Sequence, residues 1–342
     1  MKALKIIQPG PFTTVQDRGR FGFQQFGVPP CGVMDRWAGD IANLLVGNGP
    51  DAAVLEFTVM GGRMEVLDAF DLALTGADMG LSINGVSCKN WMSHRVAPGD
   101  TIQLGPVQTG CRSYLAITGG IDVPVVMNSR SSYIGAKIGG MQGRVIQPKD
   151  ILERRPQALL KNTLALPDDK IPLYPSKIIL RAIPGPQDSF FGDGMETFFN
   201  CVYTVTPNAD RMGYRLEGPV VKRKQGMPKS IISEPSLPGG VQIPEDGQPI
   251  ILLAEQTVGG YAKIATVISS DLPKLAQAVP GNTIRFEPVT LEQAHRIYRD
   301  RHDRFKALET ADLGVKTPAA MGKDFFNHPV FRERMEKYMI QI

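Results

Sequence analysis

Apolar and polar positions alternate in short runs through the first half of the chain. "ALKIIQ", "AAVLEFTV", "GRMEVL", "FDLALTG", "LSING", "DTIQLG" and "RSYLAITGG" are each bounded by Gly, Pro, Asn or Asp. Runs of roughly four to eight residues with that punctuation predict β-strands. Asn84-Gly85 lies between two such pieces and predicts a two-residue hairpin. The stretch "GVMDRWAGDIANLLVGN" has a helical period instead. It places Met34, Trp37, Ile41, Leu44 and Leu45 on one face, with Gly47 set to end the helix. A connection rich in Pro and charge, "ERRPQALLKNTLALPDDKIPLYPSK", has no period. Strands resume at "KIILRAIPGP", "GGVQIP", "PIILLAEQ", "AKIATVI" and "NTIRFEP", and "DLPKLAQAV" predicts a short helix with Pro273 in its first turn.

Past Pro288 the pattern turns helical. Thr290 and Gln293 form a capping box, and Leu291, Ala294, Tyr298, Phe305 and Leu308 fall near one stripe. A last segment, "HPVFRERMEKYMIQI", repeats the pattern with Phe331, Met335 and Tyr338 or Met339. These helices are expected to dock on their own domain or on a partner chain. The two halves also echo each other: "QPGPF" with "IPGPQ", and "VAPGDTIQL" with "AVPGNTIRF". The resulting division is an N-terminal β domain (1–155), a linker (156–176), a C-terminal β domain (177–288) and a helical extension (289–342).

With 342 residues the chain exceeds the size at which one core stops growing, which agrees with two domains. A 42% hydrophobic content supplies both cores, and 38 basic against 34 acidic residues leave only +4, scattered along the chain. That excludes a phosphate-tracking stripe, so no nucleic-acid partner is expected. No apolar window reaches membrane-span length, and the opening "MKALKIIQPGPFTTVQD" lacks a signal-peptide core, so a cytoplasmic protein without membrane partners is expected. Cys31, Cys88, Cys111 and Cys201 are dispersed, as are the four histidines, and no metal site is expected.

Candidate chemistry collects in Gly-rich clusters. "TTVQDRGRFGFQQFGVPPCGVMD" supplies Gln16 and Asp17, then Asp35, which either caps the helix or meets a ligand. "NSRSSY" sets Arg130 between hydroxyls, suited to a carboxylate or phosphate or to a solvated turn. "GPQDSF" contributes Gln187, and "NADRMGYRLEGP" contributes Asp210, Arg211 and Arg215. Strand alternation there would send Met212, Tyr214 and Leu216 to the core and both arginines to a pocket wall, with Asp210 holding Arg211. "AEQTVGGYAKIA" brings Gln256 and Thr257, then Gly259 and Gly260, which allow close backbone approach, then Tyr261 and Lys263. No GxxxxGK[ST] sequence is present, so ATP binding by this chain alone is not expected.

Taken in order, "TVQDRGRFGFQQFGVPPCGVMD", "GGIDVP", "SRSSY", "DRMGYRLEGP" and "GGVQIPEDGQPIILLAEQTVGGYAKIATVI" resemble the biotin-dependent carboxyltransferase-related family, also called the allophanate hydrolase subunit 2 family. The match runs from about residue 3 to 288. It implies a mainly β protein of two cyclophilin-like β-barrel domains with a few helices. Members include the C-type component of 5-oxoprolinase, which works with A-like and B-like chains to open 5-oxoproline to glutamate using ATP. Others are the carboxyltransferase part of urea carboxylase and an antagonist of a kinase inhibitor. The resemblance implies catalytic roles for Asp210, Arg211, Gln256 and Lys263, and contact with a small amide or lactam for the other cluster residues. It also implies ATP on a partner chain and, for the carboxylase alternative, biotin supplied only in trans. Pro235, Glu255, Val258 and Asn128 depart from the family pattern, whereas Asp210-Arg211, Gln256-Thr257 and Tyr261 follow it.

Overall fold

Two antiparallel sheets share the core of the first half. One has the order Ile121–Asp122, Ile151–Arg154, Lys2–Gln8, Arg63–Val66, Thr101–Gln103, Ser82–Ile83, Val86–Ser87; the other runs Thr13–Gln16, Val54–Thr58, Thr109–Ile117, Phe70–Asp78, Ser93–Val96. The computed structural model describes residues 1–314. Leu4, Ile6, Leu55, Phe57, Met64, Leu72, Leu74 and Leu115 meet between the sheets. Each such side chain contributes about 1.5–3 kcal/mol when fully buried. The expected hairpin forms at Asn84-Gly85, where both residues take positive φ, 53° and 80°, as a type I′ turn requires.

The second half closes into a seven-stranded barrel in the order Lys177–Pro184, Ala262–Val267, Gly240–Ile243, Ile250–Leu252, Gly213–Glu217, Val202–Ala209, Thr283–Pro288. The last strand returns to the first in parallel, from Lys177 opposite Thr283 to Ala182 opposite Pro288. Closure leaves the barrel no open edge. Leu180, Val205, Leu216, Val241, Ile243, Ile264 and Phe286 fill it. The echo between the halves is local geometry as well as sequence. Ala97 N donates to Asp100 Oδ2 at 2.8 Å and Val279 N to Asn282 Oδ1 at 3.1 Å, around glycines at φ 87° and 89°.

Helix α1 (Arg36–Leu45) buries Ala38, Ile41, Ala42 and Leu45 against the first half. The stretch after Arg154 lies along the same side rather than hanging free: Leu166 N donates to Trp91 O at 2.9 Å and Ser93 N to Leu164 O at 2.8 Å. The barrel adds α2 (Asp193–Asn200) and α3 (Leu272–Ala276), and α4 (Leu291–Thr310) begins with the Thr290/Gln293 capping box. The second half of α4 docks: Arg301 donates to Ser269 O at 3.4 Å, Phe305 meets Trp37 edge-on at 6.1 Å and Leu308 is buried, while Leu291 and Tyr298 are exposed. The segment from His328 onward lies outside the described residues. Among those described, no helix is long and apolar enough to cross a membrane.

Candidate active site

Two buried polar clusters flank the segment 254–263. The first is at the seam between the halves and centres on Arg211. The strand begins only at Gly213, and the preceding turn breaks the expected alternation. Arg211 therefore shares the buried side with Tyr214 and Leu216, whereas Met212 is 51% exposed and fills no core. Nor does Asp210 hold Arg211. Asp210 is exposed and its Oδ1 accepts from Met212 N and Gly213 N at 2.7 and 3.1 Å, closing the turn. Arg211 Nε instead meets Glu255 at 2.5 Å, Nη1 meets Glu56 at 2.5 Å, and Nη2 donates to Gly32 O at 2.8 Å. Burial works against its charge, and Glu56 and Glu255 more than offset that, so the guanidinium stays cationic. Glu56 Oε2 also accepts from Met34 N at 3.0 Å. Gly32 sits at φ 86°, and a Cβ there would fall 2.9 Å from Gly19 N.

The other predicted N-terminal residues serve this seam or the loops beside it. Asp35 caps α1 through Ala38 N at 3.0 Å and accepts from Gln277 Nε2 at 2.9 Å, linking the halves. Burial raises its carboxyl pKa, opposed by those hydrogen bonds. Gln277 Oε1 in turn accepts from Cys111 N and Arg112 N, both at 2.9 Å. Gln16 is wholly buried, donating to Thr14 Oγ1 and Ser132 O and accepting from Gly32 N. Asp17 accepts from Ser129 Oγ and Ser131 Oγ at 2.6 Å and from Arg130 N at 2.5 Å. It thus fastens the Ser-Arg-Ser loop from within. The Arg130 guanidinium lies 3.6 Å from Asp122. Burial, with Glu255 adding to it, pushes the Cys31 thiol up to about 12 against the pull of Arg211 and Arg20, which disfavours the thiolate.

The second cluster sits on the barrel wall beneath a short ribbon, Glu234–Pro235 paired with Val258–Gly259. Lys263 is buried and its ammonium donates to Glu234 Oε1. Gln187 Nε2 donates to the same oxygen at 3.0 Å, and its Oε1 accepts from Lys263 N at 3.0 Å. Hydrogen bonds from Lys263 and Gln187 hold the Glu234 carboxyl below its ordinary range. Thr257 O accepts from Ser236 N, Gly260 O from Ile231 N, and Gln256 Nε2 donates to Val258 O, so these residues shape the cover. Tyr261 stands at its edge, 43% exposed. Beneath lies Gln242, 4% exposed, whose Nε2 has no hydrogen-bond partner among the described residues. A buried donor left unmet costs about 1–3 kcal/mol.

The structure therefore joins Gln187, Lys263 and the 256–261 loop, sets Arg211 behind them at the seam, and separates Arg215. Arg215 is exposed and lines an open depression of ≈ 380 Å³ with Thr206, Asn208, Glu217 and Asp246. Glu56, Gln277, Glu234 and Gln242 do not stand out in the sequence as site residues. Glu56 had a signal, a lone carboxylate inside the apolar run "AAVLEFTV". Gln242 had none, because an outward-facing Gln on a strand is ordinarily solvated. Among the described residues, no group of His, Cys, Asp or Glu is placed to hold a metal ion.

A seam of stitched β halves with a cationic cluster under a Gly-rich loop corresponds to a known domain type. The family model for the carboxyltransferase domain, subdomain A and B, matches residues 26–288, and the chain belongs to that family. It is similar to the C subunit of 5-oxoprolinase from Escherichia coli, with 40% identity over 89% of this chain and 97% of that protein. Its likeness to the C subunit of 5-oxoprolinase from Haemophilus influenzae is 34% over 86% of this chain and 94% of that one. The crystal structure of K. lactis urea amidolyase matches with a TM-score of 0.85 at 29% identity, covering 93% of this chain but 20% of that one.

Proposed function

We propose that this chain is the C-type component of a 5-oxoprolinase, a hydrolase complex that opens 5-oxo-L-proline to L-glutamate with ATP. The carrying observation is the 40% identity extending over 97% of the Escherichia coli 5-oxoprolinase C subunit and 89% of this chain. In this reading A-like and B-like chains complete the enzyme in a reducing cytoplasm, and ATP is held by a partner, because this chain has no P-loop sequence. The lactam oxygen takes the terminal phosphoryl group of ATP with release of ADP. Water adds to the ring carbon, the C–N bond breaks as nitrogen is protonated, and hydrolysis of the acyl phosphate left behind releases phosphate and glutamate. Lys263, with Gln187 setting its backbone, supplies positive charge toward the substrate, and Arg211 fixes the seam behind it.

The test is co-purification of the chain with its partner chains, followed by assay of ATP hydrolysis with and without 5-oxoproline. Stimulated hydrolysis with glutamate formation is expected, and Lys263→Met should lower kcat/KM for 5-oxoproline by about 10²–10³. A stable complex that never forms glutamate would overturn the reading in favour of a regulatory binding role. The likeness to urea amidolyase supports one second reading, carboxyl transfer with biotin supplied in trans; a biotinylated chain in the complex would select it.

A further inference from the structure

The barrel carries a polar pair on its outer wall that is nonetheless buried. Val241 and Ile243 turn into the core, so Gln242 between them faces outward; Ala262 and Ile264 turn inward, so Lys263 faces outward. Gln242 and Lys263 are register partners on adjacent strands, which sets their Cβ atoms about 4.5–5.5 Å apart. Residues facing out from an antiparallel sheet ordinarily meet water. These two are 4% and 6% exposed. The Glu234–Pro235/Val258–Gly259 ribbon covers them: Lys263 is satisfied by Glu234, and a Cβ on Gly259 would fall 2.1 Å from Gln242 Nε2. Glycine there lets the backbone close over that amide with no side chain of its own to displace it. The Gln242 Nε2 beneath has no partner among the described residues, a cost that Leu or Met at this position would avoid. The ribbon is tied to the wall beneath it through Glu234, so lifting it exchanges the Glu234 contacts with Lys263 and Gln187.

We propose that Gln242 Nε2 is the donor to the carbonyl oxygen of a small amide or lactam, and that Lys263, released from Glu234 when the ribbon lifts, takes the same ligand's carboxylate. This rests on the 5-oxoprolinase reading for the choice of ligand. In 5-oxoproline the lactam carbonyl and the carboxylate-bearing carbon flank one ring nitrogen, so both acceptors reach neighbouring donors on one face. Glu234 is then the group that the substrate carboxylate replaces. Gln187 positions Lys263 through its backbone and does not itself meet the ligand.

The test has two arms. The full chain is labelled with ¹⁵N in its glutamine side chains, and the amide signal absent from Gln242→Met is followed during titration with 5-oxoproline, then with urea. In parallel, the complex carrying Gln242→Met is assayed. A saturable shift of that signal, with a roughly tenfold rise in KM for 5-oxoproline, little change in kcat and an undiminished melting temperature, is the expected result. No shift and an unchanged KM in a complex that forms glutamate would overturn the assignment and leave the function standing. A wild-type complex that forms no glutamate, but whose Gln242 signal moves with urea, would overturn the function and keep the Gln242 site for another amide. Silence toward both ligands overturns the site.

Discussion

The seam and the ribbon pocket are both buried polar clusters, yet they differ in which groups are matched among the described residues. Arg211 and Gln277 at the seam are matched at every polar atom, with Arg112 Nε beside them left unmet, whereas the ribbon pocket leaves a glutamine amide unmet. At the seam, each guanidinium nitrogen of Arg211 has a partner and Gln277 is bonded through both ends of its amide. Under the ribbon, Lys263 is matched by an acid on a two-residue strand, and Gln242 Nε2 has no match among the described residues. A matched buried network specifies one arrangement of the two halves. An unmatched donor under a removable cover stabilises nothing by itself and is suited to a ligand.

Removing one partner of a buried ion pair leaves the other charge stranded, so Arg211→Ala should have the largest effect, a loss of about 3–5 kcal/mol in thermal or denaturant unfolding. Arg211→Lys should recover little, since one ammonium cannot reach Glu56, Glu255 and Gly32 O together. Next is Gln277→Met, which strands Cys111 N and Arg112 N and should cost about 3 kcal/mol. An unfolding midpoint unchanged in either variant would break the comparison.

Asp271 tests the matched type of cluster by pH. It holds Arg181 through Nε at 2.8 Å and Nη2 at 2.6 Å. Burial alone would raise its carboxyl, but Arg181 and Lys274 bring it below its ordinary value of 3.8. A carboxyl lowered on folding gives stability that is complete above its unfolded value and is lost as pH falls through the folded one. Asp271→Asn should therefore cost about 2 kcal/mol at neutral pH, with the gap to the wild type narrowing below pH 3.8. Gln242→Met should be neutral or stabilising by about 1 kcal/mol, the reverse of Gln277→Met although both replace a buried glutamine. Smallest is Tyr298→Ser on the exposed face of α4, expected within about 0.5 kcal/mol of the wild type.

Much of the fold was legible because it is local. The strand runs follow from alternation, the Asn84-Gly85 hairpin from the positive φ those residues tolerate, and the start of α1 from Asp35 as its cap. The site was legible in part. Lys263, Gln187 and the 256–261 loop do meet, whereas Arg211 and Arg215, grouped by their spacing, face different surroundings. The error has a physical source: period-two alternation holds only within a strand, and the turn at Asp210–Met212 resets it.

By itself the sequence determined a mainly β chain in two halves, its helix ends, its family resemblance and the residues able to carry charge, since each depends on neighbours a few positions apart. Tertiary structure alone decided that Glu56 and Glu255 claim Arg211, that Gln277 ties Asp35 to the barrel, and that a ribbon buries Gln242 beside Lys263. Those pairings join residues distant in the chain. Hydrogen-bond matching and burial are properties of the space around an atom, which no local pattern encodes.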